Sequence, residues 1–412
     1  MKYIRTILVA IVLCPGISTC AEEDAQQTGR GAAPCPLVYI NTTFENASPL
    51  FWEIGATGEV NVFLLYDHER FSPNRAAGHW HFRVEAPKGS ELTIVLNNLL
   101  NTYNGRQASP AKDKTLSYVS PDGKEWRAIE TDLLEGHRLK FILRMEADRM
   151  YVARLVPYRL SDLNKLLDEI RARPQVKITR IGETVEGRPL EIIRVGSYDA
   201  LHRVLIRVRA HAWETGGNWV VQGMIRRLLK DDKQARAYLD RYSVYIMPMA
   251  NKDGVARGWT RFNARGKDLN RNWDTPADPV YAPENQALET WIGSMLAQGR
   301  TPDFMIDFHN DQGGKLIINR PNTNLESYLA RMKRFEDLLR SHTWFTEGLV
   351  GGNHRNPGSL GAALTERYGI HACVHELNAN WIAGLNAYPS ARNWELYGEQ
   401  LCRVFYELFA KD

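Results

Sequence analysis

Apolar and polar positions follow two different rhythms along the chain, and the change falls near position 160. Up to that point apolar residues come in short alternating runs: 61–66, 80–84, 92–96 and 139–143. Gly, Pro, Asn and Asp separate the runs, and the sequence Pro121-Asp122-Gly123-Lys124 has the make-up of a hairpin turn. Regular short strands over roughly 120 residues predict an antiparallel β-sandwich domain, here 35–158.

From Ser161 onward the spacing turns helical. Ser161 is the predicted N-cap of a helix carrying Leu163, Leu166, Leu167 and Ile170, which Pro174 stops. Predicted strands then alternate with helices: strands 190–195, 204–209 and 243–247 with a helix at 219–229, then a strand at 304–307. A helix at 328–340, a strand at 372–376 and a closing helix at 394–409 follow. This alternation predicts an α/β domain over 160–412, with a mixed, largely parallel central sheet flanked by helices. Ligands of such sheets gather beyond the carboxyl ends of the strands.

The N-terminal segment has a third texture. Lys2 and Arg5 precede an apolar run, 7–14, that Pro15-Gly16 breaks; this reads as a secretory signal peptide, 1–21, too short to be a permanent bilayer span. Cleavage after Ala21 is one outcome. The other treats 17–20 as a degenerate lipobox with Cys20 as a lipid-modified N-terminus, the one membrane attachment expected. Either way the protein is expected to work in the periplasm or outside the cell.

Bulk composition narrows the picture less. A chain of 412 residues suits two domains, and 44% hydrophobic with 24% charged residues is ordinary for a soluble protein. The 52 basic and 48 acidic residues are well mixed, with no basic block, so a nucleic-acid partner is not expected. Beyond Cys14 and Cys20 only Cys35, Cys373 and Cys402 remain, none in a CxxC pair. Either a Cys373–Cys402 disulfide or two unpaired structural thiols is open.

The candidate chemistry lies in the second half. His211 and Glu214 sit three apart on a predicted strand-to-helix loop, a spacing that lets both face one point. After the strand 243–247 comes a loop with Asn251, Asp253, Gly254, Arg261 and the run Asp268-Leu269-Asn270-Arg271-Asn272-Trp273. Its arginines present planar forks that match a carboxylate, although a solvated turn-rich loop reads equally well. His309 and Glu376 each end an apolar strand, and a carboxylate so placed is costly unless paired or functional. His79 and His81, two apart on a predicted strand, read as packing residues rather than a ligand pair.

Taken in order, His211-x-x-Glu214, Asn251-x-Asp253-Gly254, Arg261, 268–273, His309 and Glu376 resemble the zinc metallocarboxypeptidase family over roughly 160–412. The segment 181–190 resembles that family's entry segment, and the β-rich front half resembles the cytosolic-carboxypeptidase-like branch, whose members carry an N-terminal β-sandwich. The resemblance implies that His211, Glu214 and His309 bind Zn2+, leaving a fourth position for water. It implies that Glu376 is the general base and that Arg261 steadies the oxyanion. Asn270 and Arg271 would grip the terminal carboxylate of a peptide substrate, and Asp268 would orient the first metal histidine.

The chain departs from the family pattern in places. Lys252 replaces the usual Pro of Asn-Pro-Asp-Gly. The stretch 351–359 lacks the tyrosine that closes over substrate in the family, leaving its role lost or taken by His354 or Tyr368. The residue that sets side-chain preference should fall near Leu360, which offers a charged terminal residue no countercharge. The expected activity is that of a zinc exopeptidase acting on peptide C-termini. An amidase or deacylase acting on cell-wall peptides through the same site is the alternative hydrolase, and a catalytically dead binding protein the alternative class.

Overall fold

The computed structural model describes residues 35–112, 114–351 and 358–410. The expected signal peptide and Cys20 lie outside the described residues, as does His354. Among those described, no helix is long and apolar enough to cross a membrane.

Two five-stranded sheets form the front half. One runs in the order Tyr39–Asn41, His81–Glu85, Arg149–Ala153, Leu116–Ser120, Arg127–Glu130, and the other Asp132–Leu134, Arg138–Arg144, Glu91–Asn97, Val60–Leu64, Leu50–Ile54. Alternation drives this pairing: Val60, Val62 and Leu64 are buried while Asn61 and Phe63 between them are only half-buried. Strand Val60–Leu64 runs parallel to Glu91–Asn97, so the sandwich is not wholly antiparallel as the sequence suggested. The turn at 121–124 joins two antiparallel strands with Gly123 at φ 70°, which glycine adopts without steric cost. A small third sheet, of strands Asp67–His68, Arg75–Ala76, Asn101–Tyr103 and Arg106–Ala108, escaped the sequence reading because its strands are too short for a period to show.

The second half is built on an eight-stranded sheet. Its middle strands, Tyr242–Met247, His202–Val208, Phe304–Asp311 and His371–Asn378, are parallel neighbours, and antiparallel strands flank them. These strands are buried almost throughout, which explains their continuous apolar sequence. Helix Gly216–Leu228 crosses the closing helix Ala391–Leu408 at close quarters. A Cβ on Gly223 would lie 2.1 Å from the Glu395 carbonyl oxygen, and one on Gly398 1.8 Å from that of Val220. The glycines are there because nothing larger fits.

Some local expectations are corrected. Helix Leu160–Ile170 is capped by Arg159, whose backbone N–H donates to Asp162, while the Ser161 hydroxyl is taken by Glu45 of the sandwich. Cys373 lies on a strand and Cys402 on the closing helix, both buried and free, so the disulfide gives way to two structural thiols. The strands carrying His309 and Glu376 run on to Asp311 and Asn378, so neither residue is strictly terminal.

Candidate active site

Strand His202–Val208 is followed by Arg209, whose φ of 65° is unfavourable for a side chain with a Cβ. The conformation is held because the buried Arg209 guanidinium donates to the Ala212 carbonyl (2.7 Å) and to Asn218 (2.8 Å). The resulting tight loop aims both His211 and Glu214 at one point before helix Gly216–Leu228 begins. Strand Phe304–Asp311, next to it in the sheet, supplies His309. Strand His371–Asn378, one further, pairs Glu376 opposite His309. Parallel register thus sets the spacing of these groups, with neighbouring strands about 4.8 Å apart.

His211 Nδ1 lies 2.8 Å from Glu214 Oε1, His309 Nδ1 lies 2.7 Å from Glu214 Oε2, and the two Nδ1 atoms are 3.1 Å apart. The far ring nitrogens face other carboxylates: His211 Nε2 is 3.1 Å from Asp268, and His309 Nε2 is 2.9 Å from Asp307. With Nε2–H donating outward, each neutral ring turns its Nδ1 lone pair toward the Glu214 carboxylate. Acceptors that all face one buried point repel one another, and a cation between them removes the repulsion. Among the described residues, this His–Glu–His group is the one cluster whose ligand atoms lie within 4.8 Å of one another. The donor set therefore fits a divalent metal of zinc's type.

The electrostatics fit as well. Burial opposes ionisation of Glu214, but positive charge on the imidazoles of His211 and His309 outweighs it and holds the carboxyl at about 2, the same charge that a cation held between neutral rings would supply. Burial pushes Glu376 up to about 8, the carboxylates of Glu214 and Asp311 adding to the effect and His309 opposing it. One of its oxygens, Oε2, is buried without a hydrogen-bond partner among the described residues. That oxygen can accept a proton.

These groups line a cavity of about 930 Å³. Arg261, Asn270 and Arg271 line it too, so the structure brings the sequence-predicted residues to one place, with Asp268 behind them. Arg271 donates to the Asn270 carbonyl at 2.8 Å and is tied to no carboxylate among the described residues. Asn270 is more engaged: its oxygen accepts from the Leu360 N–H at 3.0 Å, and its amide nitrogen lies 3.2 Å from His309 Nε2. Leu360 is core rather than cavity wall. The wall is not short of charge, since Lys112, Arg154 and Lys315 line it, which corrects the expectation drawn from Leu360 alone. Tyr368 bonds to Glu289 and does not line the cavity, so it does not replace the missing tyrosine. His79 and His81 are buried against Asn46 and join no ligand group among the described residues. Lys252, in the place of the usual Pro, makes a buried ion pair with Glu191 (2.6 Å).

Sequence reasoning missed several contributors. Asp307 orients His309 and is itself paired with the buried Arg207 (2.8 Å). Tyr103 and Arg154 come from the strand-rich domain. Tyr103 lies over Arg261, with the guanidinium carbon 4.9 Å from the ring centroid, and Arg154 is stacked between Trp80 and Trp213.

Comparison with known proteins agrees with this geometry. Residues 163–321 match the family model of zinc carboxypeptidases, and residues 40–155 match that of the cytosolic carboxypeptidase N-terminal domain. Human cytosolic carboxypeptidase 6 is 32% identical over 63% of this chain and 56% of its own length. An uncharacterized protein of Zymomonas mobilis is 27% identical over 57% of this chain and 58% of its own. Zebrafish cytosolic carboxypeptidase 1 is 34% identical over 39% of this chain and 13% of its own, so the chain spans little more than half of these relatives at most. The metallo-carboxypeptidase of Burkholderia cenocepacia has the same fold, with a TM-score of 0.78 at 20% identity over 90% of this chain and 98% of that one. That of Pseudomonas aeruginosa, solved with (2-guanidinoethylmercapto)succinic acid, gives 0.78 at 22% identity over 90% and 99%. The chain thus carries a zinc carboxypeptidase domain, matched over 163–321, preceded by an N-terminal domain of the cytosolic carboxypeptidase type, matched over 40–155.

Proposed function

We propose that the protein is a zinc-dependent exopeptidase that removes the C-terminal residue of peptides with a free terminal carboxylate. The observation that carries this reading is the buried convergence of two imidazole Nδ1 atoms and one carboxylate beside Glu376 Oε2, which has no hydrogen-bond partner among the described residues. Zinc held there by His211, Glu214 and His309 would supply a Lewis acid and a water of lowered pKa. Asp268 and Asp307 keep both imidazoles in the tautomer whose Nδ1 is free to bind.

Glu376 Oε2 takes a proton from the attacking water and returns it to the leaving amine, which balances the hydrolysis. Arg261 carries positive charge into the cavity, where it can oppose the charge that develops on the scissile carbonyl oxygen. Arg271, which forms no ion pair with a carboxylate among the described residues, is available to the terminal carboxylate of the substrate, and Asn270 beside it offers a further amide N–H. The basic-then-apolar segment at 2–14 supports export, so we place this activity outside the cytoplasm. Sequencing the N-terminus of the mature protein tests that placement: export requires a start at Glu22 or a lipid-modified Cys20.

The function is tested with N-acetylated tetrapeptides, each offered with a free and an amidated C-terminus and followed by mass spectrometry. The expected result is loss of one terminal residue from the free forms and slow or no cleavage of the amides. Cleavage at internal bonds, or equal rates on both forms, would overturn the exopeptidase reading.

A further inference from the structure

The loop that carries Arg261 belongs to the catalytic half of the chain, but the strand-rich half holds it in place. The Asp67 carboxylate, on the short strand Asp67–His68, accepts three consecutive backbone N–H groups: from Thr260 at 3.2 Å and from Arg261 and Phe262 at 2.8 Å each. The Thr260 hydroxyl accepts from the N–H groups of Gly78 (2.9 Å) and His79 (3.2 Å). Asn46 donates to the Val255 carbonyl at 2.8 Å. Gly258, at φ 64°, lies so close to the sandwich that a Cβ there would sit 2.0 Å from the Ala47 carbonyl oxygen. The side chain of Arg261 is fixed from two directions. Its Nε donates to Asp268 at 2.8 Å, and the Tyr103 ring covers a face of the guanidinium. Tyr103 is itself set by Asn101, which donates to its hydroxyl (3.2 Å) and accepts from the Ala77 N–H (2.7 Å).

An anionic acceptor for three adjacent N–H groups is stronger and more directional than a neutral one. It is buried, and its partners lie 193 to 195 residues away in sequence. A domain that served only to recognise substrate would have no need to hold the backbone on either side of an arginine in the cavity wall. We propose that the strand-rich domain is a working part of the catalytic site, with Asp67 and Tyr103 as positioning residues that set the place and plane of the Arg261 guanidinium. The inference rests on the reading of Arg261 as the group that meets the developing oxyanion. Such a group works only if preorganised, and misplacement by about 1 Å can cost on the order of 100-fold in rate.

A double-mutant cycle tests this, using the N-acetylated free-carboxylate tetrapeptide that the zinc-loaded enzyme cleaves fastest. Asp67→Asn keeps the size of the side chain and removes one of the two accepting oxygens. It is expected to lower kcat about tenfold or more with KM changed by less than about twofold, at wild-type zinc content. In an Arg261→Ala background the same substitution should lower kcat no further, because its effect passes through Arg261. Tyr103→Leu should behave likewise with a smaller loss, about threefold, and carries the same cycle should Asp67→Asn fail to fold. Equal fractional losses in both backgrounds, or a wild-type kcat in Asp67→Asn, would overturn the proposal and leave these residues as ordinary interdomain contacts. Wild-type turnover in Arg261→Ala alone is a different result: it would remove Arg261 from the reaction and the proposal with it.

Discussion

The parallel sheet and the strand-rich domain reach the same cavity by different means. The sheet delivers His309 and Glu376 on adjacent strands in direct register, and the loop after a third strand delivers His211 and Glu214. Their spacing is inherited from the hydrogen-bond ladder, and loosening it means unzipping buried strands. The strand-rich domain delivers Asp67 and Tyr103 from short strands of its small sheet, through side-chain contacts with one loop. Lesions in the first region should therefore abolish chemistry or metal binding. Lesions in the second should leave metal in place and slow turnover.

The sharpest way to break this contrast is at Glu376. Glu376→Gln should fold, keep its metal and lose turnover by on the order of 100-fold or more, because an amide cannot accept the proton. Near-wild-type turnover in that variant would hand the base role to another group. The next effect lies behind the metal. Asp307→Asn removes the charge that fixes the His309 tautomer and should weaken zinc affinity by about 10- to 100-fold in competition with a chelator. An unchanged affinity would mean that Arg207 and Asp307 serve the fold alone. A smaller effect is expected at the cavity wall. Arg271→Ala should raise KM for free-carboxylate peptides about tenfold and reduce the preference over the amidated forms, with little change in melting temperature. A fall in melting temperature with the preference intact would make Arg271 structural.

The contrast also explains what could be read in the chain beforehand. His211, Glu214, Arg261, the run 268–273, His309 and Glu376 stand in the order, and on the predicted elements, that the resemblance to zinc carboxypeptidases rests on. Asp307 was within reach, since residues two apart on a strand share a face and an aspartate in an apolar strand needs a partner. Asp67 and Tyr103 were not, because nothing periodic marks which sandwich segment meets a loop more than 150 residues further on. The Ser161 cap failed for the same reason: its hydroxyl is claimed by Glu45, 116 residues away. Local pattern gives elements, and long-range contacts decide their details.

Everything in this account depends on the metal held by His211, Glu214 and His309. Metal analysis of the dialysed wild type beside His211→Ala and His309→Ala is the direct test. About one zinc per chain is expected in the wild type and none in either variant, with both variants still folded. A wild type free of bound metal under zinc-replete conditions, or variants that retain full occupancy, would contradict it.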